Sequence, residues 1–232
     1  MHVDINWSQK VAERFSKLAI CVGLISGVQV KKENEQTLRL KQEASASVKA
    51  GYSADTLKEN STVRAYRDFY WELGIDPTKT RPSGEALLRR VLVGKGLPSI
   101  STVVDAYNAA SLVTIIPISG FDFELLSFPL QIRFAGEDEE FLGIGMEKPV
   151  KLAKSIMVMA DAKMAICIYP YRDCEQTKIS EITRTAMMIA YGAPGIVHEQ
   201  LKEAIETALT NVKRTSGGAI LDMRIFEADI PS

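Results

Sequence analysis

The sequence predicts a single α+β domain with a sheet-rich core, helices in its N-terminal third and a long helix near its C-terminus. Three observations carry that prediction. Helix-favouring stretches rich in Glu, Lys, Gln, Leu and Ala begin at Glu33. Between 128 and 171, short Val/Ile/Phe/Met segments are separated by Gly, Pro and charge clusters. Leu201, Ala204, Ile205, Ala208, Leu209 and Val212 then repeat at i, i+3, i+4, the clearest helical stripe in the chain. The 232 residues are 46% hydrophobic and 25% charged, a globular composition long enough to bury a substantial core. No repeat, low-complexity tract or long linker divides them, so residues 1–232 read as one domain.

After a short amphipathic start, LAICVGLISGVQV (18–30) is apolar and interrupted by Gly23 and Gly27, the pattern of a buried strand with a bend or bulge. Helices are expected over Glu33–Ala50 and Val63–Leu73, the second ending at Gly74 ahead of Asp76-Pro77. Ser83 is placed to cap the next helix, with Glu85 in its first turn, where the helix dipole favours an anion. Leu87, Leu88, Val91 and Leu92 form its apolar face, Arg89 and Arg90 stay outside, and Gly94, Gly96 and Pro98 end it. Another helix covers about Ser101–Val113. FPLQIRFAG (128–136), EFLGIGM, SIMVMAD and MAICIYPY supply four or five strands, with GIGMEK (143–148) as a strand turn. Thr177–Glu181 reads as a turn into the C-terminal helix, and SGGAILDMRIFEAD as a turn and final strand.

Composition excludes several classes of function. No apolar run approaches the ~20 residues that span a bilayer, and MHVDINWSQKVAERF lacks the basic-then-apolar order of a signal peptide. A cytoplasmic protein is expected. Cys21, Cys167 and Cys174 are odd in number and show no C-x-x-C spacing, so neither a disulfide framework nor a zinc ribbon is indicated. His2 and His198 lie in no metal-ligand pattern, and His198 reads as a capping or surface residue. No metal or cofactor is expected, and GxSxG, Walker A, GxGxxG and HExxH are all absent. Net charge is −1, but residues 1–100 carry +5 and residues 101–232 carry −6. A basic half can hold a phosphate backbone even in a neutral chain.

The most informative stretch is VVDAYNAASLVTIIPISGFD (103–122). Asp105 and Asn108 share a helix face in otherwise apolar or small surroundings, and helix interiors tolerate them poorly without partners. Pro117 and Gly120 then break the run into a loop carrying Ser119, Phe121 and Asp122. Either the polar groups bond the backbone of that loop, or they point into a cavity.

V-V-D-A-Y-N followed by P-I-S-G-F-D, nine positions past Asn108, resembles the B3/B4 domain of the phenylalanyl-tRNA synthetase β chain. That family has V-D-x-x-N, then P-x-H-x-x-D; Asp105, Asn108, Pro117 and Asp122 match it. R-F-A-G-E (133–137) and M-V-M-A-D follow in the family's order, over roughly residues 60–190. RPS (81–83), LPSI and YRD (171–173) make the chain similar to free-standing B3/B4 proteins. The family's His falls on Ser119, and an acidic position used in editing falls on Lys178, with Asp173 or Glu175 able to substitute for it.

The resemblance implies an α+β fold and a protein that binds tRNA or aminoacyl-tRNA, with hydrolysis of a mischarged aminoacyl ester in trans. Asn108 and Asp173 are then the catalytic candidates, Asn108 orienting substrate or water and Asp173 acting as base. Asp105, Ser119, Gly120, Phe121 and Arg172 are candidates for holding substrate, and Arg81, Arg89, Arg90 and Lys95 for holding RNA. The alternatives are a non-catalytic RNA-binding module and a hydrolase or binding protein for a small amino-acid derivative.

Overall fold

The structure is a computed structural model that describes residues 3–229; His2 lies outside them. In chain order the elements are β1 (Ile5–Trp7), α1 (Gln9–Arg14), β2 (Ala19–Ser26), α2 (Glu35–Gly51), α3 (Ser61–Glu72), α4 (Ser83–Leu92) and α5 (Thr102–Thr114). They continue as β3 (Ile118–Asp122), β4 (Leu130–Phe134), β5 (Glu140–Phe141), β6 (Val150–Lys151), β7 (Met157–Ala160), β8 (Ala165–Ile168) and β9 (Arg172–Asp173). The chain closes with β10 (Thr185–Tyr191), α6 (His198–Ser216) and β11 (Ala219–Glu227).

Two sheets form the framework. One has the order β11-β2-β10-β3, all neighbours antiparallel. The other has the order β1-β4-β7-β8-β9, with β1 parallel to β4. The segment after β9 stitches them together: Cys174 bridges Gly143, and Lys178 bridges Phe121 of β3.

The apolar stripe of α6 packs on the first sheet, and all six of its expected residues are buried. Each large aliphatic side chain so buried contributes about 1.5–3 kcal/mol. Gly23 makes this approach possible, because a Cβ there would sit 2.5 Å from Ile205 Cγ2. A line of edge-on aromatic contacts ties α3 to the end of β8 and to β10: Phe69 meets Tyr169, the residue after β8, at 6.2 Å, and Tyr169 meets Tyr191 at 4.9 Å.

The α+β class, the four interior helices and the final strand stand as the sequence predicts. Four local expectations do not. The supposed loop IPISGFD is strand β3, buried along its whole length. Pro117 sits just before it, where no ladder bond is lost, and Gly120 admits the ring of Tyr107, whose Cε1 would lie 2.5 Å from an added Cβ. Ser83 is not the cap of α4; Pro82 occupies that position without a side-chain cap bond. Thr177–Glu181 does not lead into a helix, since β10 intervenes; buried on both faces, TAMMIAY shows no alternation to betray a strand. EFLGIGM contributes only the two residues of β5 before turning.

Candidate functional site

A cavity of about 370 Å³ opens where the two sheets meet α5. Its helical wall comes from Val104, Tyr107 and Asn108, spaced i, i+3, i+4 along α5. Ile118, Ser119 and Gly120 of β3 form the adjoining wall, and Asp173 of β9 faces them. Ser83, Ile100, Ile144, Pro170, Tyr171, Lys178 and Ile179 complete a lining that is largely apolar.

Ser119 donates its hydroxyl proton to Asp173 Oδ1 at 2.6 Å, joining residues 54 apart in sequence. Burial raises the Asp173 carboxyl to about 6; the hydrogen bonds from Ser119 and Cys167 hold it below where burial alone would put it. Such a group exchanges its proton near neutral pH, unlike an ordinary aspartate. Burial also raises the Tyr107 phenol, assisted by the charges of Asp173 and Asp105, so it stays neutral. Lys178 is ion-paired to Glu175 at the cavity wall.

The expected site residues divide. Asn108, Ser119, Gly120 and Asp173 line one cavity. Phe121 is fully buried in the core. Arg172 is exposed and reaches back over Gly143 toward the Ile144 carbonyl. Asp105 turns away from the cavity: its carboxylate accepts from the Ile100 amide at 2.8 Å and from Lys41 Nζ at 3.3 Å. It therefore ties the approach to α5 on the preceding side, not to the residues that follow. Burial outweighs these partners and raises its carboxyl above the usual range. Asp122 is also internal, accepting from Thr183 Oγ1 at 2.6 Å and the Glu124 amide at 3.1 Å.

Arg81, Arg89, Arg90 and Lys95 share a second, open cleft of about 570 Å³ with Lys79. Helix α4 serves both places, since Ser83 at its start lines the apolar cavity. Glu85, buried in the first turn of α4, accepts two bonds from Arg67 at 2.8 Å and one from Arg89 at 2.6 Å. These partners lower its carboxyl below the usual range against the effect of burial. Arg90 is held by the Gly96 carbonyl at 2.8 Å. His198 begins α6 and pairs with Glu227 at 2.6 Å. Among the described residues no group of three or more His, Cys, Asp or Glu could hold a metal ion, and no helix is long and apolar enough to cross a membrane.

Sequence reasoning missed Val104 and Tyr107, although Asn108 implied them through helical spacing. It also missed Lys79, two residues from Arg81. No local signal could pair Ser119 with Asp173.

Residues 65–217 match the family described as B3/4 domain. The chain belongs to the B3/4 domain family. Over 167 residues it is 27% identical to the phenylalanine–tRNA ligase beta subunit of Neisseria meningitidis, covering 62% of this chain and 21% of that protein. Its fold is similar to an N-terminal fragment of the phenylalanyl-tRNA synthetase beta-subunit from Pyrococcus horikoshii, with a TM-score of 0.51 and 12% identity. That match covers 95% of this chain and 50% of the other. This B3/4 chain thus spans about a fifth of its curated relative and half of the solved fragment.

Proposed function

We propose that this B3/4 protein binds the aminoacyl end of a tRNA and hydrolyses a mischarged ester in trans. The observation that carries this reading is the Ser119–Asp173 hydrogen bond at the wall of a largely apolar cavity. The aminoacyl side chain occupies the apolar space between α5 and β3. Asp173, ionised above about pH 6, takes a proton from water as that water attacks the ester carbonyl. The proton then passes to the departing ribose oxygen, which regenerates the carboxylate. Asn108 orients the ester or the water, and Ser119 fixes the carboxylate. Tracking of the acceptor stem falls to the cleft formed by Lys79, Arg81, Arg90 and Lys95.

One observation favours RNA binding without chemistry. By the resemblance, the family's His falls on Ser119 and its acidic editing position on Lys178, a residue that Glu175 neutralises. The decisive experiment is deacylation of a panel of mischarged tRNAs by wild type, Asp173→Asn and Ser119→Ala. Release of one amino acid, lost in Asp173→Asn with tRNA affinity retained, supports hydrolysis. Salt-dependent binding with no release from any tRNA leaves the RNA-binding module. Absence of both rejects the tRNA reading.

A further inference from the structure

The longest strand of the protein lies at a sheet edge. β11 runs for nine residues, about 30 Å, and pairs only with β2 among the described residues. None of its residues is buried, and Ile220 and Leu221 are 44% and 48% exposed. Edge strands are ordinarily kept short or covered, because their free N–H and C=O groups recruit another strand. The free groups of β11 can be assigned. Ala228 donates to the Leu18 carbonyl and accepts from the Lys17 amide, so its backbone faces inward. Alternation then turns Arg224 and Phe226 inward as well, and turns Met223, Ile225 and Glu227 outward.

We propose that β11 pairs antiparallel with β11 of a second copy of this chain, about a two-fold axis through Met223. The argument is self-complementarity. That register sets Asp222 opposite the second copy's Arg224, and Arg224 opposite its Asp222. It also sets Leu221 opposite Ile225 on both sides of the axis. Within one chain Asp222 and Arg224 are already neighbours on one face, 2.7 Å apart, so pairing completes a ring of four alternating charges. The outward Met223 N–H donates to Asp222 Oδ1 at 2.9 Å in the single chain; on pairing it turns to the carbonyl of its own symmetry mate as Asp222 turns to the second copy's Arg224. Moving the axis to Arg224 would instead oppose like charges, which cross-strand pairs disfavour. The bulge between Ile220 and Asp222 limits the ladder to the central residues. The product is one eight-stranded sheet, ordered β3-β10-β2-β11 and then the reverse, with a cavity at each far edge.

The test is sedimentation equilibrium of wild type, Arg224→Asp, Asp222→Arg and the double exchange, with thermal melting as the control for folding. The wild type is expected to dimerise. Each single exchange creates two symmetric like-charge pairs and weakens the dimer by about tenfold or more; the double exchange restores it. Met223→Pro removes an outward N–H without touching the β2 ladder, and is expected to give a folded monomer. A monomeric wild type overturns the proposal. So does a dimer indifferent to the single exchanges and to Met223→Pro.

Discussion

Replacing Asp173 by Asn should stabilise the protein, and by an amount that depends on pH. The native carboxyl is raised to about 6 from the 3.8 of an ordinary aspartate. At about 1.4 kcal/mol per tenfold change in proton affinity, this corresponds to about 3 kcal/mol. Between pH 4 and 6 the native state binds more protons than the unfolded one, so stability falls as pH rises through that window. Above pH 6 the whole penalty is present; below pH 4 it vanishes. An Asn is neutral throughout, and its carbonyl still accepts the Ser119 hydroxyl. The variant should therefore match wild type near pH 4 and exceed it by up to about 3 kcal/mol at pH 7. Urea unfolding at intervals from pH 4 to 8 measures the difference directly. A gap that stays constant across the series, or that favours wild type at pH 7, refutes the reasoning. The same titration gives hydrolysis a rising limb centred near pH 6 in wild type and none in Asp173→Asn.

Gly120→Ala forces a methyl into the Tyr107 ring at 2.5 Å and should cost about 1–3 kcal/mol in urea unfolding; an unchanged midpoint argues against that packing. Glu85→Gln breaks a nearly inaccessible carboxylate away from Arg67 and Arg89 and should destabilise by about 3 kcal/mol. Calorimetry checks it, and a loss below about 1 kcal/mol would class the cluster with surface ion pairs. For tRNA binding, Arg81→Ala, Arg90→Ala and Lys95→Ala should each reduce the slope of log affinity against log salt by about one. Slopes equal to wild type would move the RNA to another face.

Much of this architecture was legible because its helices are amphipathic and end at recognisable glycines. The α6 stripe is one such case, and Gly74 and Gly94, both at positive φ, stop α3 and α4. What escaped was central strand structure. β10 is buried on both faces, and β3 contains a serine, a glycine and a terminal aspartate that resemble loop chemistry. The site followed the same division. Asn108 stood out as a polar residue on an apolar helix, whereas the significance of Asp173 depends on Ser119, brought to it only by the seam between two sheets. Asp105 drew notice for the same reason as Asn108, but its partners Ile100 and Lys41 make it a tie within the fold.

The order of the first sheet also bears on how the chain is made. β2 ends at residue 26, yet its two neighbours, β10 and β11, begin at 185 and 219. While the residues between are synthesised, AICVGLIS has no strand beside it. At ribosomal speeds of about 5–20 residues per second, that interval lasts on the order of ten seconds or more. Such an uncharged, β-prone segment is what holdase chaperones shield and what seeds aggregation when left bare. A nascent chain cut before Thr185 would keep α2 through α5 and lack both strand partners of β2 and the helix α6 that packs on it. Truncation late in the sequence should therefore yield insoluble protein, whereas a helical bundle with local contacts would leave a folded remnant.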